Sequence, residues 1–302
     1  MYSSPLLNII FDWASMGRAV NGKQVTTNTI INAEKSMSDD MKTVIKNHTK
    51  DILDAGGLSL MMSIRSSKSV ETVLALQAAG FDSFFVDLEH GGLTMYEAGQ
   101  LATMGIAAGV TVFVRLPGHN VMAAAQALDG GAWGVIAPHL ETPEQAGMMA
   151  DACMYPPIGH RSASSTVPHF RFRSWPTVPV RAHLNNHTML ICQIETERGV
   201  ENAEAIAAVD GVALLLLGGN DLSAEMGIPG DFTNEKFIGA VDRIIDAAKK
   251  QGKHAGIAGI GSPELMQKFY DRGARLFSLG TDTGAFVASA RQQAMTAHKM
   301  AG

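Results

Sequence analysis

From residue 47 to the C-terminus, short apolar runs alternate with alanine-rich segments of helical spacing. The runs fall at 58–64, 83–86, 111–114, 133–137, 189–194, 212–217, 254–257 and 275–279, and most are nearly continuous in apolar character. Continuous runs of this length between turn residues predict strands buried on both faces, as in a parallel sheet. Segments such as 70–79, 96–108 and 237–250 repeat their apolar residues at three- and four-residue intervals, which predicts helices with one buried face. Each parallel connection needs a crossover, and eight strand–helix units in about 250 residues is the usual extent of a closed barrel. The expected fold is therefore an α/β protein, a (β/α)8 TIM barrel over residues 47–302 with an N-terminal extension over 1–46. The extension mixes Asn, Thr, Ser and Lys around one apolar patch at 6–13 and is expected to be partly helical. No G-x-G-x-x-G motif opens a helix after the first strand, which argues against a dinucleotide-binding sheet. The stretch 155–179 contains Pro156, Pro157, Pro168, Pro176 and Pro179 and reads as a long loop over one face.

Composition narrows the function classes. With 302 residues, 46% hydrophobic and 18% charged, the chain can bury a large core. A formal net charge of −5 and scattered Lys and Arg give no basic field for nucleic acid. No run of about 18 apolar residues occurs, so no membrane-spanning helix is expected. The first eight residues lack the basic start and apolar stretch of a signal peptide. Cys153 and Cys192, the only cysteines, both sit in apolar contexts. That usage gives no disulfide framework and points to a reducing, cytoplasmic location. The methionines are expected to fill core space.

Barrels carry chemistry at the carboxyl ends of their strands, and the polar residues of this chain gather there. The fifth strand ends Cys192-Gln193-Ile194-Glu195-Thr196, and the sixth ends Gly218-Gly219-Asn220-Asp221. Two carboxylates delivered to one rim suit a hard divalent cation, which takes one or two acidic ligands and leaves positions for water and substrate oxygens. The second strand ends Asp87-Leu88-Glu89-His90. A carboxylate can orient an imidazole and raise its basicity, so His90 is a candidate for proton transfer. Arg115, ending the third strand, could bridge adjacent strands or hold an anionic substrate with its two-pronged guanidinium. His119, His139 and His160 are expected to be structural. No predicted strand ends in a lysine, so the strand ends offer carboxylates for a metal rather than an amine for a Schiff base.

Together these stretches resemble the HpcH/HpaI aldolase family, the class II pyruvate aldolases typified by 4-hydroxy-2-oxoheptanedioate aldolase. The resemblance is carried, in order, by Ala79-Gly80-Phe81-Asp82 with Asp87-Leu88-Glu89-His90, then Val114-Arg115-Leu116-Pro117 and Gly131-Ala132-Trp133-Gly134. It continues through Val135-Ile136-Ala137-Pro138, Tyr155-Pro156-Pro157 with Gly159 and Arg161, Gln193-Ile194-Glu195-Thr196, and Asp221-Leu222-Ser223. It covers roughly residues 47–290. The resemblance implies a lyase in which Glu195 and Asp221 bind Mg²⁺, Mn²⁺ or Co²⁺, chelated in turn by the carboxylate and keto oxygens of pyruvate. It implies that Arg115 lies against the keto oxygen of the enolate and that His90 and Asp87 take part in proton transfer. Gln193 would line the pocket, and the backbone N–H groups of Gly219, Asn220 and Asp221 would hold the pyruvate carboxylate. The family's subunits usually assemble as hexamers, so a homo-oligomer is implied.

The implied reaction is aldol cleavage or condensation of a 4-hydroxy-2-oxo acid, giving pyruvate and an aldehyde through the pyruvate enolate. The sequence departs from the family at Gly218-Gly219-Asn220, where Pro and Ala are often found, and in the loop carrying His160, His169, Phe170, Phe172 and Trp175. These departures leave the second product open. Three other readings stand beside the aldolase. One is decarboxylation of oxaloacetate to the same enolate, as in macrophomate synthase; another is cleavage of a CoA ester; the third is a non-catalytic 2-oxo-acid-binding protein. No basic cluster suits a CoA nucleotide.

Overall fold

In a computed structural model, the structure describes residues 46–164, 166–173 and 175–300. The expected extension over 1–46 lies outside the described residues except for Lys46. A short helix, α1 (His48–Asp54), capped by the Asn47 side chain, leads into the first strand. Eight parallel strands then close into a barrel in sequence order. They are β1 (Ser59–Ile64), β2 (Ser83–Asp87), β3 (Thr111–Arg115), β4 (Gly134–Ala137), β5 (Met189–Ile194), β6 (Val212–Gly218), β7 (His254–Ala258) and β8 (Leu276–Thr281). All eight predicted strands are present, with ends displaced by at most two residues. Among the described residues no helix is long and apolar enough to cross a membrane.

The outer helices form where local sequence caps them. Helix α2 (Glu71–Ala78) follows β1. Helix α3 (Met95–Ala108) starts at a reciprocal pair in which Thr94 accepts from the Glu97 N–H while Glu97 accepts from the Thr94 N–H. It ends on Gly109 in the left-handed conformation, φ 75°. Inside α3, Gly105 lets the helix close on β3, because a Cβ there would collide with the Val112 side chain and lie 2.8 Å from the Val110 carbonyl. Helix α4 (Val121–Asp129) follows β3, and α5 (Pro143–Cys153) follows β4 with Pro143 in its first turn. The stretch 155–179 is only partly the loop expected. Pro168–Phe170 makes a 3-10 turn, and helix α6 (Thr177–His187) begins within the stretch, taking Pro179 into its first turn. Proline is tolerated there because the first N–H groups of a helix have no intrahelical partner.

The remaining helices are α7 (Glu197–Glu201), α8 (Ala203–Ala207), α9 (Gly219–Glu225), α10 (Glu235–Lys250), α11 (Pro263–Arg272) and α12 (Asp282–His298). Helix α10 buries Phe237, Val241, Ile244, Ile245 and Ala248 on one face, the spacing that predicted it. The cysteines sit in the core as free thiols, and burial pushes Cys153 up to about 12.

Side chains alternate between two cores. Phe84, Val86, Val112, Val114, Leu215 and Leu217 face the helices, while Met61, Phe85, Phe113, Ile191, Leu214 and Leu216 fill the barrel. The period of two along each strand dictates what lies above this inner layer. Met61 is followed on the inner face by Ser63, Phe85 by Asp87, Phe113 by Arg115, and Ile191 by Gln193 and Glu195. The barrel is therefore apolar in its middle and polar at its carboxyl mouth.

Candidate active site

The carboxyl mouth opens into a cavity of about 680 Å³, whose wall includes His90, Arg115, Gln193, Gly219, Asn220 and Asp221. Asp87 and Glu195 stand behind that wall, both almost wholly buried. All eight residues singled out from sequence thus meet at one end of the barrel, in two groups of different character.

On the β2–β3 side, Asp87 and Arg115 are register partners in adjacent strands. Arg115 donates from Nε to Asp87 Oδ1 at 3.0 Å and from Nη2 to Oδ2 at 2.6 Å, a two-pronged pair. Arg65, one residue past β1, donates from Nε to Asp87 Oδ2 at 2.9 Å. The backbone N–H groups of Glu89 and His90 donate to Oδ1 at 3.2 and 3.1 Å. Burial opposes ionisation of Asp87, but the Arg115 hydrogen bond and charge, with the His90 N–H and the Arg65 charge, outweigh it and hold the carboxyl below the usual range. Arg115 also reaches Glu89, Nη1 to Oε2 3.3 Å, and its guanidinium lies over the Phe85 ring at 5.4 Å.

The expected pairing of Asp87 with the His90 imidazole takes another form. Asp87 holds the His90 main chain, and the imidazole Nε2 lies 3.8 Å from Glu89 Oε2 with the side chain half exposed to the cavity. The reason is competition: two guanidiniums and two N–H groups already occupy the Asp87 oxygens, and the carboxylate nearest the ring is that of Glu89.

On the β5–β6 side, Glu195 follows Ile194 at the end of β5, and Asp221 lies in the first turn of α9, three residues past β6. Glu195 Oε1 accepts the His139 backbone N–H at 2.7 Å and lies 3.0 Å from His139 Nδ1, while Oε2 accepts from Gln193 Nε2. Burial pushes the Glu195 carboxyl above its ordinary range; the His139 and Gln193 contacts only partly offset it, and the charge of Asp221 adds to the rise. Gly218 is required beside it, since a Cβ there would collide with Glu195 Oε2 and lie 3.0 Å from Gln193 Nε2.

His139 was expected to be structural, yet it joins the two groups. Its φ of 51° places it in the left-handed region, uncommon for residues other than glycine. That conformation lets its N–H and Nδ1 both address Glu195 while Nε2 lies 3.2 Å from Glu89 Oε1. His119 and His160 are engaged elsewhere, with the Pro138 carbonyl and with Asp151. Sequence reasoning also passed over Arg65 and Ser63, although the inward period of two from Met61 identifies both.

The donor set of the β5–β6 side fits a divalent cation. A carboxylate offers about four lone-pair positions, and the contacts to His139 and Gln193 leave Glu195 room for one more partner. Asp221 is exposed at the rim and adds a second hard oxygen donor. Among the described residues no group of three or more His, Cys, Asp or Glu is placed to hold a metal ion, so on the chain's own side the donors offered here are the Glu195 and Asp221 carboxylates. The cavity wall contains no lysine for a Schiff base.

The sequence model of the HpcH/HpaI aldolase/citrate lyase family matches residues 39–289. A 4-hydroxy-4-methyl-2-oxoglutarate aldolase of Hapsidospora irregularis is 36% identical over 217 residues, 71% of this chain and 80% of that protein. A 4-hydroxy-2-oxovalerate aldolase of Novosphingobium aromaticivorans is 35% identical, covering 70% of this chain and 79% of its own. Among solved structures, an HpcH/HpaI aldolase from Desulfitobacterium hafniense DCB-2 superimposes with a TM-score of 0.78 at 28% identity, over 82% of this chain and 95% of that one. Macrophomate synthase superimposes with a TM-score of 0.71 at 27% identity, over 85% and 92%.

Proposed function

The chain belongs to the HpcH/HpaI aldolase/citrate lyase family and is a carbon–carbon lyase of the aldolase type; from that premise we propose that it works on pyruvate with a divalent ion held by Glu195 and Asp221. The observation that carries the reading is the convergence of Arg115, His90, Gln193 and Asp221 on one cavity, with the Glu195 carboxylate directly behind. The ion, Mg²⁺, Mn²⁺ or Co²⁺, supplies Lewis-acid polarisation of a keto group when bound.

The residues of the chain do the rest. Cleavage removes the proton of the 4-hydroxyl, breaks the C3–C4 bond and leaves the electron pair on C3 as the pyruvate enolate, which then takes a proton at C3. Arg115, fixed by Asp87 and Glu89, presents a preorganised cation to the developing enolate oxygen. His90 faces the cavity and exchanges the proton, directly or through water, with Glu89 behind its ring. Gln193 holds Glu195 and lines the floor. No side chain caps the first turn of α9, and the N–H groups of Gly219, Asn220 and Asp221 are offered to the pyruvate carboxylate.

We place the protein in the cytoplasm on the strength of its two buried free thiols. Assembly as a homo-oligomer, hexameric by family resemblance, is supported by α12, which buries none of its residues and exposes Phe286, Val287 and Met295. The likeness to macrophomate synthase supports a second use of the same enolate, formed by decarboxylating oxaloacetate; CO₂ release from oxaloacetate tests it.

The proposal is tested by proton NMR of pyruvate in D₂O with EDTA-treated protein. The methyl protons are expected to exchange only after Mg²⁺ is restored. Absence of exchange with Mg²⁺, Mn²⁺ and Co²⁺ alike would contradict enolate chemistry.

A further inference from the structure

His139 touches both groups of the barrel mouth, and its backbone is held where few residues rest. Its φ of 51° lies in the left-handed region, which costs a residue other than glycine about 1 kcal/mol or more. The flanking chain keeps it there. His119 Nε2 lies 2.7 Å from the Pro138 carbonyl oxygen, the Leu140 N–H donates to the Gln193 carbonyl at 3.1 Å, and Leu140 is wholly buried. Glycine or asparagine would meet this conformation with less strain. The residue present instead carries two ring nitrogens, and both are engaged.

Nδ1 lies 3.0 Å from Glu195 Oε1, beside the 2.7 Å bond from the His139 backbone N–H to that same oxygen. One residue therefore holds Glu195 Oε1 twice, while Gln193 holds Oε2. On the other edge of the ring, Nε2 lies 3.2 Å from Glu89 Oε1. The second Glu89 oxygen, Oε2, faces Arg115 Nη1 at 3.3 Å and His90 Nε2 at 3.8 Å. The contacts run without a break from Glu195 through His139 to Glu89, and from there to Arg115 and His90. A rigid ring between two carboxylates fixes their separation. Groups one contact behind a metal ligand orient it and tune its affinity, and a donor held by fixed neighbours needs no reorganisation as charge develops.

We propose that His139 is a positioning residue for both halves of the site, setting Glu195 through Nδ1 and its backbone N–H, and setting Glu89, with Arg115 and His90 behind it, through Nε2. The proposal rests on the aldolase reading and deepens it. Its consequence is that cation affinity and the rate of proton exchange separate at one residue, because each depends on a different ring nitrogen.

The test uses two variants that suit the left-handed turn. His139→Gly removes the ring and keeps the backbone N–H, and His139→Asn keeps an amide near the Nδ1 position but is too short to reach Glu89. Two quantities are read: Mn²⁺ affinity by electron paramagnetic resonance without substrate, and the rate of pyruvate methyl proton exchange at saturating Mg²⁺. His139→Gly is expected to weaken Mn²⁺ binding about tenfold and to slow the saturated exchange about tenfold, the lower end of what losing a partner of a metal ligand does. His139→Asn is expected to bind Mn²⁺ as the unaltered protein does while exchanging as slowly as the glycine variant. A residue that merely shaped the turn would leave both quantities unchanged in His139→Gly. An unchanged affinity or an unchanged rate in that variant would therefore overturn the assignment, as would any pattern in His139→Asn other than affinity kept and rate lost. Circular dichroism shows whether the variants are folded. If the glycine variant is not, the asparagine variant decides alone, and loss of the fold in both would make His139 a scaffold residue and overturn the proposal. The unaltered protein separates the two failures: Mn²⁺ binding and exchange there, with the wrong pattern in the variants, defeat the role of His139 alone, whereas their absence defeats the aldolase reading beneath it.

Discussion

The two sides of the barrel mouth are built on opposite electrostatic plans. On the β2–β3 side, Asp87 and Glu89 meet Arg65 and Arg115, so charges are matched within the chain. On the β5–β6 side, Glu195 and Asp221 repel each other, and the nearest balancing groups are His139 and Gln193. The consequence is visible in the direction of the two shifts: Asp87 is held below the ordinary carboxylate range and Glu195 is pushed above it, although both are buried. Burial alone cannot separate them; neighbouring cations do. The matched side is preorganised to steady a developing negative charge, and the unmatched side is left for a cation from solution.

The largest effect is expected from breaking the matched side at Arg115. Arg115→Lys keeps the charge but cannot bond both Asp87 oxygens and Glu89 together, and a fall of about a hundredfold or more in kcat is expected, the range for losing a transition-state donor. Near-normal steady-state kinetics would make Arg115 a strand-bridging residue only.

A smaller effect, on stability, sharpens the same comparison. Asp87 has its folded-state pKa depressed, so its contribution is present above the unfolded value, about 3.9, and is lost as pH falls through the lower folded value. Asp87→Asn leaves Arg115 and Arg65 short of a carboxylate and is expected to cost about 3 kcal/mol at neutral pH. Denaturant unfolding of both proteins should show that gap shrinking below about pH 4. A gap independent of pH would mean that the ion pair contributes nothing to it. Glu195 has the opposite sign. Its raised folded pKa means that stability falls, rather than rises, as pH increases from the unfolded carboxylate value through the folded one, until a cation binds.

Most of the scaffold was legible because barrel strands are buried on both faces and announce themselves as apolar runs. Asp87 and Arg115 were each legible as polar residues ending adjacent strands, but their pairing was not, since the sequence reading gave Asp87 to His90. What escaped was whatever depends on conformation rather than pattern. His139 looks like a lone histidine after Pro138, and only its left-handed backbone brings it onto Glu89 and Glu195. Arg65 opens the Ser-rich run Arg65-Ser66-Ser67 that reads as a loop, and its fixed position comes from Asp282, 217 residues away. Pro179 looks like a loop residue, and the helix that absorbs it is apparent only from the backbone. The sharing of Asp87 between two arginines, which diverts it from the His90 ring, is likewise a matter of three dimensions.

The contrast between the two sides rests on the unmatched pair taking a cation, and Mn²⁺ titration followed by electron paramagnetic resonance measures that directly, without substrate. One Mn²⁺ per chain is expected to bind the unaltered protein, with affinity falling as pH drops through the raised Glu195 range. Glu195→Gln is expected to lose that binding while the fold, followed by circular dichroism, is kept. Equal Mn²⁺ affinity in the two proteins would contradict the assignment of Glu195 and Asp221 as the metal site.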